Sequence, residues 1–304
     1  MAPGASSPRP TSKDVQRFEQ AVRVASRAGP LGKLLARPLR GPYSKLLEIW
    51  CRSRGRRSRQ VATTFWGERM NVVFPDRVSV AIYRYGFFEE DMTHALLGYL
   101  KPGMTFFDVG SHIGFFSLLA SAIVGPRGRV VAFEPTPSSF EIVSGNLAHL
   151  ANCRCENVAA FREDTHIEFT DFGVEFSVFN SVYGGKIKDD DLARATPRTL
   201  KVMARALDRW CAETGIYPDF LKIDTEGAEM DVLAGCNGIL RSRRPMFTLE
   251  VGDIEGAQDK RPSRVLVDAA LGLGYRSLEW RNGSFVEHRP RDTYEYTNLL
   301  FVPA

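Results

Sequence analysis

Four acidic residues of this 304-residue chain each stand at the end of a short apolar run: Asp108, Glu134, Asp224 and Glu250. The runs read as strands. In an open parallel sheet the carboxyl ends of the strands form the rim on which ligands bind. Carboxylates on that rim can hold ribose hydroxyls, face a cationic ligand group, or take the proton of an attacking hydroxyl. Asp108 is followed by a glycine turn with Gly110 and Gly114 at its two ends, and then by an apolar helix. Glycine tolerates positive φ and lets a ligand lie against bare backbone. Amides at the head of the helix are left without intrahelical partners. The same spacing also serves tight packing of helix on strand, so the turn alone does not choose between the two.

The downstream residues narrow the ligand. Glu134 follows Gly110 by 24 positions, one strand–helix–strand unit later, where a carboxylate can take both hydroxyls of a ribose. The turn lacks the middle glycine of a dinucleotide fingerprint, and the chain has no Gly-Lys-Ser/Thr phosphate loop. A ribose ligand with no phosphate clamp and acids around it suggests a cationic nucleoside. S-adenosylmethionine fits, with Asp108 facing its methionine part. Asp224, Glu226 and Glu250 are the candidate bases for an acceptor hydroxyl, with His112 next. Glu226 and Glu229 have a competing role as helix N-terminal acids. Two or three of these acids could also hold a divalent cation, but no His–Cys cluster supports a dedicated metal, and none is assigned.

The elements that must position these groups follow from periodicity. Short strands are expected at 61–66, 70–74 and 78–83, then a helix up to Leu100. From residue 105 strand and helix alternate: strand 106–109, helix 113–124, strand 129–133, helix 137–149 and a third strand at 153–160. Short connections of this kind imply right-handed crossovers and a parallel sheet. Residues 161–198 interrupt the alternation with an insertion carrying Phe169, Phe172, Phe176, Phe179 and Tyr183, read either as an acceptor lid or as a hairpin or dimer contact. Strands at 199–204, 220–224, 245–251, 275–280 and 296–302 complete the chain, with helices before and after Asp224 and at 264–273.

Charge is uneven. Residues 1–60 hold 14 Lys and Arg against 3 Asp and Glu, a net +11; the remainder holds 26 against 33, a net −7. Residues 1 to about 12 read as disordered. Helical fragments follow over 13–49, broken at Gly29-Pro30, Pro38 and Gly41-Pro42, with an apolar stripe through Val15, Phe18, Val22 and Ala25. The arginine run 52–59 completes a basic arm. Three readings stand for it: a solvated arm, a segment resting on an anionic membrane through residues 15–59, or, last, a nucleic-acid contact. No stretch is long and apolar enough for a membrane span, and the N-terminus lacks a signal-peptide core. The five cysteines show no framework spacing, which fits free thiols and a cytoplasmic location, with peripheral membrane contact left open. His94, His149, His166 and His288 have no catalytic context and are expected at the surface or in packing.

The segments 108–114, 131–137, 221–229 and 298–303, with Asn146, Val232 and Leu233, together resemble the FkbM family of S-adenosylmethionine-dependent methyltransferases. The resemblance runs from about Gly86 to the C-terminus; His112 stands where the family usually has asparagine. It implies a class I methyltransferase fold: an α/β, Rossmann-like, seven-stranded and mostly parallel sheet, last strand antiparallel, with helices on both faces. It implies methyl transfer to a hydroxyl of a sugar, glycolipid or secondary metabolite. By position, Asp108, Gly110, His112, Gly114, Glu134 and Pro135 would border the cofactor, and Asn157 and Ala159 its adenine. The expected organisation is a basic arm at 1–60, strands and a helix at 61–100, and a methyltransferase domain at 101–304. Two rival readings are a nicotinamide oxidoreductase and a non-catalytic binding protein on the same fold.

Overall fold

The computed structural model of the chain describes residues 8–27, 40–171, 198–253 and 262–304. Its centre is an eight-stranded sheet in the order β12-β11-β13-β10-β9-β3-β4-β5. The strands are β3 (Thr105–Val109), β4 (Arg129–Phe133), β5 (Cys153–Glu156), β9 (Phe220–Ile223), β10 (Met246–Val251), β11 (Tyr275–Arg281), β12 (Ser284–Glu287) and β13 (Thr297–Pro303). β5, β4, β3, β9 and β10 run parallel. β13 enters between β10 and β11 antiparallel to both. β12 adds an antiparallel hairpin strand at the edge, an eighth beyond the seven expected, because the turn at Asn282-Gly283 folds the chain back on β11. This is the mostly parallel class I sheet with its last strand reversed.

The sequence folds this way because side chains alternate across a strand. Phe106, Val130 and Phe220 enter one core layer, whereas Phe107, Val131 and Leu221 enter the other. Both faces are therefore apolar, and helices must cover both. Helix α5 (Phe115–Val124) is buried along its whole length, so the longest apolar run of the chain is a core helix.

Several expectations need correction. Residues 78–83 are β-branched and aromatic, yet Arg77–Tyr85 is helix α3. Its ends explain this. Asp76 caps the start, accepting from the Ser79 amide at 2.7 Å, and Gly86 closes it in a left-handed turn at φ 79°. Capping at both ends outweighs a modest strand preference. Gly41-Pro42 does not break the chain but lies in the first turn of helix α2 (Arg40–Arg54), where proline's missing N–H costs nothing. The other expected breaks, Gly29-Pro30 and Pro38, lie outside the described residues, as does most of the segment read as disordered. The third strand divides: β5 joins the main sheet, and β6 (Ala159–Ala160) joins a small sheet in the order β6-β8-β7, with β7 at Thr165–Asp171 and β8 at Arg198–Arg205. Within the insertion, Phe169 packs with Phe161, Val202 and Ala204 in that sheet's core instead of lining a lid. The aromatics from Phe172 to Tyr183 lie outside the described residues.

The segment before β3 shares the main core. β1 (Ser58–Thr63) and β2 (Arg69–Phe74) form an antiparallel hairpin. Helix α1 (Ser12–Arg27) buries Phe18 against Phe65 and Phe87, with ring centroids 5.1 Å apart in each pair. The apolar stripe of α1 is thus spent on the fold. Helix α4 (Glu90–Tyr99) then leads into β3. Asn146, in helix α6 (Pro137–Leu147), staples the hairpin to the glycine turn. Its Oδ1 accepts from the Asn71 amide, and its Nδ2 donates to the Asn71 and Ile113 carbonyls, at 2.7, 3.0 and 2.9 Å.

Candidate active site

The glycine turn is built by crowding before any ligand is considered. A Cβ on Gly110 would lie 1.8 Å from the Asp224 carbonyl oxygen, and one on Gly114 would lie 2.7 Å from a Val143 methyl. Both residues also hold positive φ, 81° and 85°. Gly110 is therefore required where the ends of β3 and β9 touch, and Gly114 where α5 meets α6. The turn's amides are largely committed. Gly110 and Ser111 both donate to the Phe133 carbonyl, and Gly114 donates to the Ser111 carbonyl. His112 donates its amide to Glu134 Oε2 at 2.8 Å. The turn itself therefore offers no open amide at these four positions; the helix-head amides of the expectation begin at Phe115.

Glu134 closes β4 and is buried. Its Oε1 accepts from the Thr136 amide at 3.0 Å while Oε2 takes His112. Burial pushes its carboxyl up to about 7, against the pull of those two amides. The Thr136 side chain also hydrogen-bonds this carboxylate, so three of its roughly four lone-pair sites are taken and one stays for a ligand hydroxyl. Asn157 fixes this corner by donating to the Glu134 and Pro135 carbonyls at 2.8 and 3.1 Å. Ala159 is buried in the small sheet beside it. Ser111 Oγ, in the turn, is buried and meets no partner among the described residues. A buried hydroxyl of that kind awaits a ligand or a water.

The three acids expected to serve an acceptor converge. Asp224, Glu226 and Glu250 offer carboxylate oxygens all within 4.8 Å of one another, close enough to share one cation or one hydroxyl proton. Beside them sits Lys222, a buried cation that sequence reasoning passed over. Its Nζ lies 2.9 Å from Asp224 Oδ2 and 3.5 Å from Asp108 Oδ1, and it donates to the Gly110 carbonyl at 3.0 Å. Burial works against its charge, but Asp224 and Asp108 outweigh burial and raise it above the ordinary lysine range. Asp108 is not on an open rim as the sequence suggested. It is fully buried, hydrogen-bonded by the Ser117 hydroxyl at 2.6 Å and neutralised by Lys222. The signal for Lys222 was its register: in strict alternation on β9 it shares a face with Phe220, where a cation needs a partner.

Glu89 is the second residue missed. It precedes α4 with φ 42°, a conformation a non-glycine residue adopts only when its surroundings impose it. Its neighbours supply the constraint. Glu90 accepts from the Trp280 indole at 3.1 Å, and Asp91 accepts from the Asn298 amide at 2.9 Å. Asn298 is the register partner of Glu250 on β13, and its side chain donates to Glu89 Oε2 at 3.2 Å. Burial, then Asp224 and Asp91, raise the Glu89 carboxyl well above the usual range. Glu250 is raised likewise by burial, then by Asp224 and Glu226. Glu229 stands apart. Its Oε1 accepts from the Thr225 and Gly227 amides, each at 3.0 Å, which is a structural cap. His112 holds φ 51° and directs Nε2 toward Asp76 Oδ1 at 4.0 Å. Of the other histidines, His288 is buried between Glu279 and Tyr294, and His94 stacks on Trp280.

A family model described as the methyltransferase FkbM domain matches residues 108–278. The chain is 26% identical over 180 residues to 2-O-methyltransferase NoeI of Sinorhizobium fredii, covering 55% of this chain and 71% of that one. It is 28% identical over 180 residues to 31-O-demethyl-FK506 methyltransferase FkbM of Streptomyces tacrolimicus, covering 52% and 69%. Among solved structures, methyltransferase FkbM from Methylobacillus flagellatus KT aligns at 16% identity and TM-score 0.43, covering 74% of this chain and 55% of that one. The family match takes in the glycine turn, Glu134, the Lys222–Asp224 strand end and Glu250. More than half of its length being matched, the chain belongs to the FkbM family of S-adenosylmethionine-dependent methyltransferases.

Proposed function

We propose that this protein is an O-methyltransferase that methylates a hydroxyl of a sugar, glycolipid or secondary metabolite. The observation that carries the reading is the meeting of Asp224, Glu226 and Glu250 beside the cofactor turn, next to the buried ammonium of Lys222. Two relatives named as 2-O- and 31-O-methylating enzymes support oxygen as the target.

S-adenosylmethionine, when bound, supplies a methyl group already activated on a sulfonium. The protein must orient the acceptor and remove a proton. Glu134 takes a ribose hydroxyl, with Asn157 and Pro135 shaping the adjoining corner. Gly110, Gly114, His112 and Asp108 form the floor of the cofactor site, Asp108 acting through Lys222. Asp224 is held by Lys222 and serves to orient the acceptor. Glu250, raised by burial and by its acidic neighbours, is the base, and Glu226 is placed to share the hydroxyl. The basic arm is proposed to contact an anionic membrane.

The test is transfer of labelled methyl from S-adenosylmethionine into fractionated lipid, glycan and small-molecule extracts, with base-stable ether-linked label expected in one fraction. Calorimetry with S-adenosylmethionine and with NAD separates this reading from a nicotinamide enzyme. Binding of NAD alone would overturn it, and cofactor binding with no transfer to any fraction would favour a binding protein.

A further inference from the structure

The arm's membrane contact can be narrowed to one helix face. In α2, Ser44 and Cys51 are buried, and the helix lies on α3 through Arg84, which donates to Ser44 Oγ at 2.7 Å and to Glu48 at 3.0 Å. The opposite side is apolar and open: Tyr43 is 47% exposed, Leu46 68%, Ile49 52% and Trp50 43%. Among the described residues, no other element presents more than one large exposed apolar side chain. At about 100° per residue the four fall within roughly a third of the helix circumference. Lys45 and Arg52 border that strip on one side, and Arg40 and Arg54 on the other. Arg56 and Arg57 follow at the helix end. The helix's one acid, Glu48, faces inward, paired with Arg84 and Arg52 at 3.0 and 3.3 Å. α1 cannot share this role, because Phe18, Ala21 and Val22 are buried in the core.

We propose that the face of α2 formed by Tyr43, Leu46, Ile49 and Trp50, flanked by Lys45, Arg40 and Arg54, docks on an anionic lipid bilayer. An apolar strip between two rows of cations is what an interfacial helix needs: the strip enters the acyl boundary while the cations reach the headgroups. Charge selects this occupant over a second copy of the chain, since two such faces would oppose cation to cation. α2 rests on α3, whose capping residue Asp76 approaches His112 in the cofactor turn. This inference deepens the membrane contact proposed above and does not depend on the acceptor.

The experiment uses the full chain with phosphatidylcholine vesicles and with vesicles that also contain phosphatidylglycerol. Sedimentation with the anionic vesicles alone is expected, together with a blue shift of Trp50 emission that is missing in Trp50→Phe. Raising salt should release the protein. Leu46→Glu/Ile49→Glu and Lys45→Gln/Arg54→Gln should each lose partitioning by on the order of tenfold or more, with calorimetric S-adenosylmethionine binding and melting temperature unchanged. Failure of the wild type to sediment, equal binding to both vesicle types, or undiminished binding by Leu46→Glu/Ile49→Glu would each overturn the proposal. A dimer in light scattering that Leu46→Glu dissolves, without vesicle binding, would reassign the face to self-association. Unchanged methyl transfer or cofactor binding bears on the enzyme reading alone, so the two fail separately.

Discussion

At the scale of single residues, the site is governed by how much charge is buried at one sheet edge. Glu134 illustrates the cost. Its carboxyl sits at about 7 in the folded protein against 4.5 when free. The folded state therefore holds this proton more tightly than the unfolded chain. The contribution of this group to stability is greatest below pH 4.5, falls as pH rises through the window to about 7, and is lower by about 3 kcal/mol above it. Without cofactor, Glu134→Gln should melt higher than wild type at pH 8, by differential scanning calorimetry; a lower melting temperature would show the carboxylate stabilising the empty site. A cofactor hydroxyl prefers the ionised form, so wild-type affinity for S-adenosylmethionine should rise from pH 6 to pH 8. The Gln variant should lose that slope together with about tenfold to a hundredfold in affinity. Glu250→Gln should retain cofactor affinity and lose transfer by about a hundredfold or more. Equal loss of both would place Glu250 in the cofactor site. Lys222→Met should be far more damaging to stability, by about 3–5 kcal/mol, because it strands Asp108 and Asp224 without a buried partner.

At the scale of elements, the site exists because strand ends are pressed together. Gly110 is where β3 and β9 touch, and any side chain there collides with backbone rather than with a movable side chain. Gly110→Ala should cost roughly 3 kcal/mol or more and should weaken cofactor binding in proportion to unfolding. Chemical denaturation followed by calorimetry on the folded fraction distinguishes this from direct loss of a ligand contact. The acids at the start of α4 show a division of labour. Glu90 and Asp91 bind the helix start to Trp280 and Asn298, and Glu89 is held near Asp224 with strained backbone. Glu89→Gln should leave cofactor affinity unchanged while altering acceptor KM or turnover. An unchanged transfer rate would return Glu89 to a purely structural role.

At the scale of the whole molecule, the basic arm is two things. α1 is part of the fold and α2 lies over it. Phe18 is fully buried, so Phe18→Ala should cost about 3–5 kcal/mol in urea unfolding. Deleting residues 1–59 would remove Phe18 and one strand edge of the β1–β2 hairpin, so that truncation is a poor probe of membrane contact. Point changes on the outer face of α2 are the informative ones. Among the described residues no helix is long and apolar enough to cross a membrane, so any membrane contact made by these helices lies at the surface.

Most of the order of strands and helices from residue 105 onward, though not the divided third strand, β7 or the edge strand β12, and the identity of Asp108, Glu134, Asp224 and Glu250 as strand-end acids, were legible in the sequence. Alternation and turn residues are local signals carried by neighbouring positions. The helix at 77–85 was not legible from composition, because its two caps decided it against β-branched residues. Nor were Lys222, Glu89 and Asn298 legible as members of the site. They come from three different elements, and only strand register brings Asn298 beside Glu250 and Lys222 between Asp108 and Asp224. Tertiary packing likewise decided which glycines are crowded and which apolar stripe of the arm is buried. Such contacts depend on which faces meet, and no run of neighbouring residues encodes that.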